Sequence, residues 1–231
     1  MPSTKLASQT YIEMNVDFST PVLIKGGDNT YGPTPMAGVE RMMFERRGDE
    51  IARRATSCVR YAPGSSFKPH SHPGGEEYIV LQGTFSDENG DFSQGMYVRN
   101  PVGSTHAPLT KEGCEIFVKL SQLPSTEPDY FYLNTKETEW TSVNEHHKTL
   151  PLWNSDLEET ALHQFKAGFE SAEEIFNKVV EIFVLSGRAN INGSGYEKYS
   201  WMRFPPATPI TITTESGTVV YRKIGLGEVR L

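Results

Sequence analysis

At 231 residues, with 22% charged and 37% hydrophobic side chains, the chain has the make-up of one or two folded domains and not of a disordered segment. Its formal charge of −7 argues against nucleic acid as a partner, because a phosphate backbone needs a basic face. No apolar run approaches the roughly 18 residues of a membrane span, so no membrane partner is expected.

In chain order, Met1–Thr10 lacks the apolar core of a secretory signal, which points to a cytoplasmic protein. Thr30-Tyr-Gly-Pro-Thr-Pro35 is a rigid lead-in to the first strands, or a lid over them. The segment Glu45–Arg54 mixes charges of both signs and is expected to be a solvated hairpin. Strand-like runs then recur at Ser57–Tyr61, Phe67–His72, Glu77–Leu81, Met96–Arg99 and Glu115–Leu120, separated by turns such as Asp87-Glu-Asn-Gly90. Cys58 and Cys114 lie in apolar runs without CxxC spacing, and buried free thiols are expected. Tyr61, Tyr78, Tyr97 and Arg99 are expected in the core or at a pocket rim, and His146-His147 in a solvated loop. Leu123–Asp129, rich in Pro, Ser and acid, has the composition of a linker.

The second half repeats the first. Segment 59–120 matches 163–224 at a constant offset of 104 without a gap. Gly64 falls on Gly168, Glu77 on Glu181, Gly83 on Gly187, Arg99 on Arg203, Pro101 on Pro205, Gly113 on Gly217 and Lys119 on Lys223. Turn residues that keep register while side chains vary indicate a duplicated β-fold. The predicted architecture is all-β, two tandem antiparallel jelly-roll barrels, with domains at 1–122 and 123–231. Residues Ser171–Val180 have helical propensity, but the repeat assigns them to a strand.

Four residues carry metal-ligand chemistry: His70, His72, Glu76 and His106. Residues two apart on a strand face the same side, so His70 and His72 present both rings to one spot. Pro73-Gly74-Gly75 turns the chain, and Glu76 opens the next strand. Three imidazoles and a carboxylate suit one divalent transition metal, with zinc, iron, manganese and nickel all compatible. The repeat places Glu174, Phe176, Val180 and Ile210 at the same positions, so the second domain is expected to be metal-free, with a packed interior.

These residues resemble the cupin superfamily. Gly64–Gly83 fits G-x5-H-x-H-x3,4-E-x6-G, and Gly95–His106 fits G-x5-P-x-G-x2-H, with Thr110 where that motif ends in Asn. The double acid Glu76-Glu77, with VLQGTFSDENG and RNPVGSTH, resembles more narrowly the cupin domain of ChrR-type anti-sigma factors and their two-barrel relatives. The resemblance implies the double-stranded β-helix fold and the metal ligands His70, His72, Glu76 and His106. Spacing to Gly83 selects Glu76 over Glu77, which strand alternation sends to the opposite face, in an outer or structural role shared with Glu181. In ChrR-type proteins an H-x3-C-x2-C zinc domain holds the sigma factor, and this chain shows no such signature. The implied function is a site that acts on or senses a small-molecule ligand, either as a cupin dioxygenase or as a non-enzymatic metal-dependent sensor. Barrel edges suggest a homodimer by analogy of fold.

Overall fold

The computed structural model describes residues 11–49 and 51–225, and all of its regular elements are strands. Among these residues no helix is long and apolar enough to cross a membrane. One large sheet runs in the order Ile12–Met14, Val39–Gly48, Ala52–Tyr61, Cys114–Leu120, Glu76–Asp87, Met96–Asn100, Phe131–Asn134. Its counterpart runs Thr141–Asn144, His147–Asn154, Glu159–Phe165, Thr218–Ile224, Val180–Ser186, Trp201–Phe204, Val22–Ile24. Short antiparallel ribbons close each barrel: His70–His72 with Ser104–His106 in the first, and Glu174–Ile175 with Pro209–Ile210 in the second.

The repeat survives in three dimensions down to an irregularity. In the first barrel the pairing register slips past Leu81, between Glu115 and Ile116. In the second it slips past Leu185, the position 104 later, between Val184 and Ser186. Gly83 and Gly187 come just after these bulges with positive φ, and a Cβ on either would lie about 2 Å from the carbonyl oxygen of Gly113 or Gly217. Residues 171–180 are extended or irregular, as the repeat requires against their helical propensity.

Strand alternation gives each large sheet an inner and an outer buried face. Tyr78, Val80, Ile116 and Val118 point into the first barrel, and Val180, Ile182, Val184 and Val220 into the second. The outer faces pack on each other through Phe44, Ile79, Phe117, Phe183, Trp201 and Tyr221. Phe117 and Phe183 stack with ring centroids 4.2 Å apart. This back-to-back contact is why strands such as Cys114–Leu120 are buried on both faces.

The same interface holds buried ion pairs. Glu77 accepts from Lys223 Nζ at 2.6 Å, from Arg99 at 3.2 Å and from the Tyr221 hydroxyl at 2.5 Å. Glu158 binds both Arg99 and Lys223, at 2.6 and 2.7 Å. Around the pseudo-twofold, Glu181 pairs with Lys119 and Arg54, and Glu45 with Arg54 and Arg203. Glu77/Glu181, Arg99/Arg203 and Lys119/Lys223 are the charged residues that the repeat retains, and their shared role is to bridge the barrels. Glu45, Arg46 and Arg54 are each at most 5% exposed, which corrects the solvated hairpin expected for this segment. Its two strands form, but Glu45 and Arg54 are covered by the second barrel, where they pair with Arg203 and Glu181.

Each large sheet is completed by a strand belonging in sequence to the other half. Val22–Ile24 pairs with Trp201–Arg203, and Phe131–Asn134 pairs with Met96–Arg99. The segment Leu123–Asp129 is more than a spacer, since Glu127 binds Arg99 and accepts from the Trp153 indole. Both cysteines are buried and free.

Candidate metal centre

The turn between His72 and Glu76 is fixed by crowding. Gly75 has positive φ, and a Cβ there would meet Leu123 at 2.7 Å. A Cβ on Gly74 would meet Ser121 Cα at 2.5 Å. With the Gly75 amide donating to the His72 carbonyl, the chain reverses in three residues and returns Glu76 beside the histidines.

The ribbon supplies the rest. His106 lies directly opposite His70, and Ser104 opposite His72. The ligand atoms of His70, His72 and His106 all lie within 4.8 Å of one another, a group that could hold a metal ion. His72 Nε2 is 2.9 Å from His106 Nε2, and Glu76 Oε2 is 3.6 and 3.7 Å from these two nitrogens. Ligands that each sit about 2.0–2.2 Å from one ion are at most about 4.4 Å apart, so these three distances fit a shared ion. The donor set, three imidazoles and one carboxylate, fits zinc, iron, manganese or nickel.

Outer contacts aim the donors. His106 Nδ1 is 2.9 Å from Asp87 Oδ2, and His70 Nδ1 is 3.2 Å from the Lys68 carbonyl, which leaves both Nε2 atoms facing the site. Asn100 Nδ2 donates to Glu76 Oε2 at 2.9 Å. Asp87 and Asn100 escaped the sequence reading, which saw Asp87 only as part of a turn. Burial lowers the basicity of His72, only partly offset by the Glu76 charge, and so favours the neutral form that binds a metal. At His106 burial works the same way, but Asp87 and Glu76 outweigh it and raise its pKa. Asp87 is in turn held below its usual range: burial opposes this, and the His106 hydrogen bond prevails.

A cavity of about 650 Å³ opens beside His70, His72 and Glu76. Val39, Ala55, Val59, Phe67, Val118 and Leu120 give it largely apolar walls. Of the aromatic residues weighed for a pocket, Tyr61 lines this cavity, Tyr78 fills the barrel core, and Tyr97 belongs to the inter-barrel contact. Met36 and Ala37, just after the Thr30–Pro35 segment, also line the opening.

The second barrel is arranged differently. Phe176, Val180 and Ile210 join its apolar core, and Glu174 is paired with Arg222 at 3.0 Å. His147 corrects the solvated pair expected at 146–147: it begins a strand, is half-buried, and places Nε2 2.9 Å from Nδ1 of His163. Sequence pattern could not pair them, because the contact crosses strands. Burial, with Arg222 and His147 nearby, drives the His163 pKa from 6.5 down to about 2. The folded state thus keeps His163 neutral where the unfolded chain protonates it. Stability should fall by up to about 1.4 kcal/mol per pH unit as pH drops below about 6.5. His163→Val, which installs the residue found at Val59, should flatten that slope in urea titrations at pH 4.5–7. An unchanged slope would count against a buried neutral His163.

Among curated proteins none matches the chain by sequence. Residues 19–124 match the ChrR cupin-like domain family. Solved structures of similar fold include three that cover most of this chain. The bacterial pirin YhhW of Escherichia coli, in complex with nickel(II), has a TM-score of 0.69 at 14% identity, covering 90% of this chain and 100% of that one. A candidate dioxygenase from Nostoc punctiforme has a TM-score of 0.68 at 13% identity, covering 97% and 86%. The oxalate decarboxylase of Bacillus subtilis, a protein with Mn(II) centres, has a TM-score of 0.66 at 14% identity, covering 94% and 80%. At such identities the likeness is one of fold. With the repeat, the ribbon-borne histidines and the similar structures together, the chain folds as two tandem cupin barrels, and its residues 19–124 match the ChrR cupin-like domain family.

Proposed function

We propose that His70, His72, Glu76 and His106 hold one divalent transition metal at which the protein acts on a small oxygen-bearing molecule, in the manner of a cupin dioxygenase. The observation that carries this reading is the cavity, which reaches three of the four donors and gives a ligand a route to the metal. A bound iron, manganese or nickel ion would supply Lewis acidity and a template for a chelating oxygen pair. The protein's part is to fix the donors, through Asp87, Asn100 and the Lys68 carbonyl, and to exclude water with apolar walls. On this reading the second domain, 123–231, is a metal-free scaffold, and the protein works in the cytoplasm without nucleic acid or membrane.

A sensor remains the second reading, and one observation favours it. Glu76 faces the donors while Glu77, the next residue, faces the inter-barrel ion pairs, so a change at the metal is one residue from the interface. X-ray absorption at the metal edge, on protein purified without oxygen or added metal, separates the two. Five- or six-coordinate iron, manganese or nickel with bound water is the expected result. Four-coordinate zinc, saturated by the protein, would sink the enzyme reading and favour the sensor.

A further inference from the structure

The wall of the cavity carries a buried polar atom that the metal reading leaves unused. Ala55, Ser57, Val59 and Tyr61 alternate along one strand and all line the cavity. Ser57 is only 3% exposed, and its hydroxyl is buried with no hydrogen-bond partner among the described residues. A hydroxyl in such a place carries a standing penalty unless something else binds it. Its neighbour Thr56, facing the other way, donates to Glu45 at 2.8 Å. The repeat sharpens the contrast: the position 104 later is Ala161, on the wall of the packed second barrel, and it has no hydroxyl. Ser57 lies opposite Val118, and Leu120, two residues on, lies opposite Glu76. Ser57 is therefore two strands over and two residues along from Glu76, roughly 12 Å between backbones.

We propose that the cavity takes a chelating oxygen compound with an apolar, drug-sized body whose far end carries a hydrogen-bonding group for Ser57. This rests on the metal-centre reading and adds to it a specificity residue and a substrate class. The chelating end belongs at His70, His72, Glu76 and His106. The volume of about 650 Å³ lies within the usual range for drug-sized ligands, far more room than a small dicarboxylate fills. The apolar walls select against a body that is polar throughout.

The test uses three β-diketones with metal-loaded protein: acetylacetone, benzoylacetone, and benzoylacetone bearing a para-hydroxyl on its ring. Binding is read by calorimetry, and metal content is measured separately. Benzoylacetone should bind at least about tenfold more tightly than acetylacetone, because its ring leaves water. The para-hydroxyl should add a further gain of about threefold to tenfold in the wild type, and none in Ser57→Ala, whose metal content stays unchanged. A ring that brings no gain, a hydroxyl that brings none, or a gain that persists in Ser57→Ala would each overturn the proposal. Equal binding of benzoylacetone to metal-free protein would overturn the chelating end. Wild-type protein that takes up no metal would overturn the metal-centre reading, and this inference with it.

Discussion

His72→Ala is expected to empty the metal centre while leaving the barrels folded. His72 Nε2 lies within 4 Å of both His106 Nε2 and Glu76 Oε2, so its loss removes the donor nearest to two others. Losing an outer partner of a metal ligand typically weakens binding 10–100-fold, and losing the ligand itself should weaken it more. The variant should keep little or no metal after dialysis against a weak chelator, as measured by plasma mass spectrometry. Asp87→Asn should fall between it and the wild type, since it only loosens the hold on His106. The cost to the metal-free fold should be small, because His72 sits on a short ribbon at the cavity edge and outside the apolar clusters. Full metal occupancy in His72→Ala would refute the ligand assignment.

The second large effect is expected at Glu77. It is 1% exposed and serves Lys223, Arg99 and Tyr221 at once. Burial alone would raise its pKa, but Lys223 and Arg99 together hold it down to about 2. Because the folded pKa is the lower one, the contribution to stability is fully present above about pH 4.5 and is lost as pH falls through about 2. Glu77→Ala leaves two buried cations, Lys223 with Glu158 and Arg99 with Glu158 and Glu127, and should destabilise the protein by about 3–5 kcal/mol. Adding Lys223→Met should recover part of that loss, since removing both members of a buried pair is far milder than removing one. Urea titration of the single and double variants reads this directly. Glu77→Gln should still bind metal, because the side chain points away from the histidines. If it lost metal while remaining folded, the choice of Glu76 over Glu77 as donor would be wrong.

Much of this was legible in the sequence, for a physical reason. A turn glycine or a bulge constrains backbone shape at one position, and shape is what a duplicated fold must conserve. The gapless offset therefore carried the duplicated β-fold, the non-helical course of residues 171–180 and the packed second interior. His70, His72 and Glu76 were legible because their geometry is local: alternation on one strand, then a three-residue turn. His106, on the facing strand, was legible through the motif that contains it. What was hidden depends on contacts between distant strands. The roles of Glu45, Arg54 and Glu181 exist only once the two outer faces meet. His147 looked solvated because its partner, His163, lies on the neighbouring strand. Asp87 was masked by its place in a turn, although an acid near a metal ligand is a signal worth testing. The retained pairs Arg99/Arg203 and Lys119/Lys223 were visible in the repeat, but nothing local said what they met.

The exchanged edge strands bear on the order in which the protein can assemble as it leaves the ribosome. Val22–Ile24 emerges early, yet its partner Trp201–Arg203 is made roughly 180 residues later. At about 5–20 residues per second, that strand waits on the order of ten seconds or more with its backbone groups unmatched. The first barrel must likewise hold the edge Met96–Arg99 open until Phe131–Asn134 appears. Synthesis from one end thus cannot finish one half before starting the other, and the nascent chain carries exposed strand edges of the kind that chaperones shield.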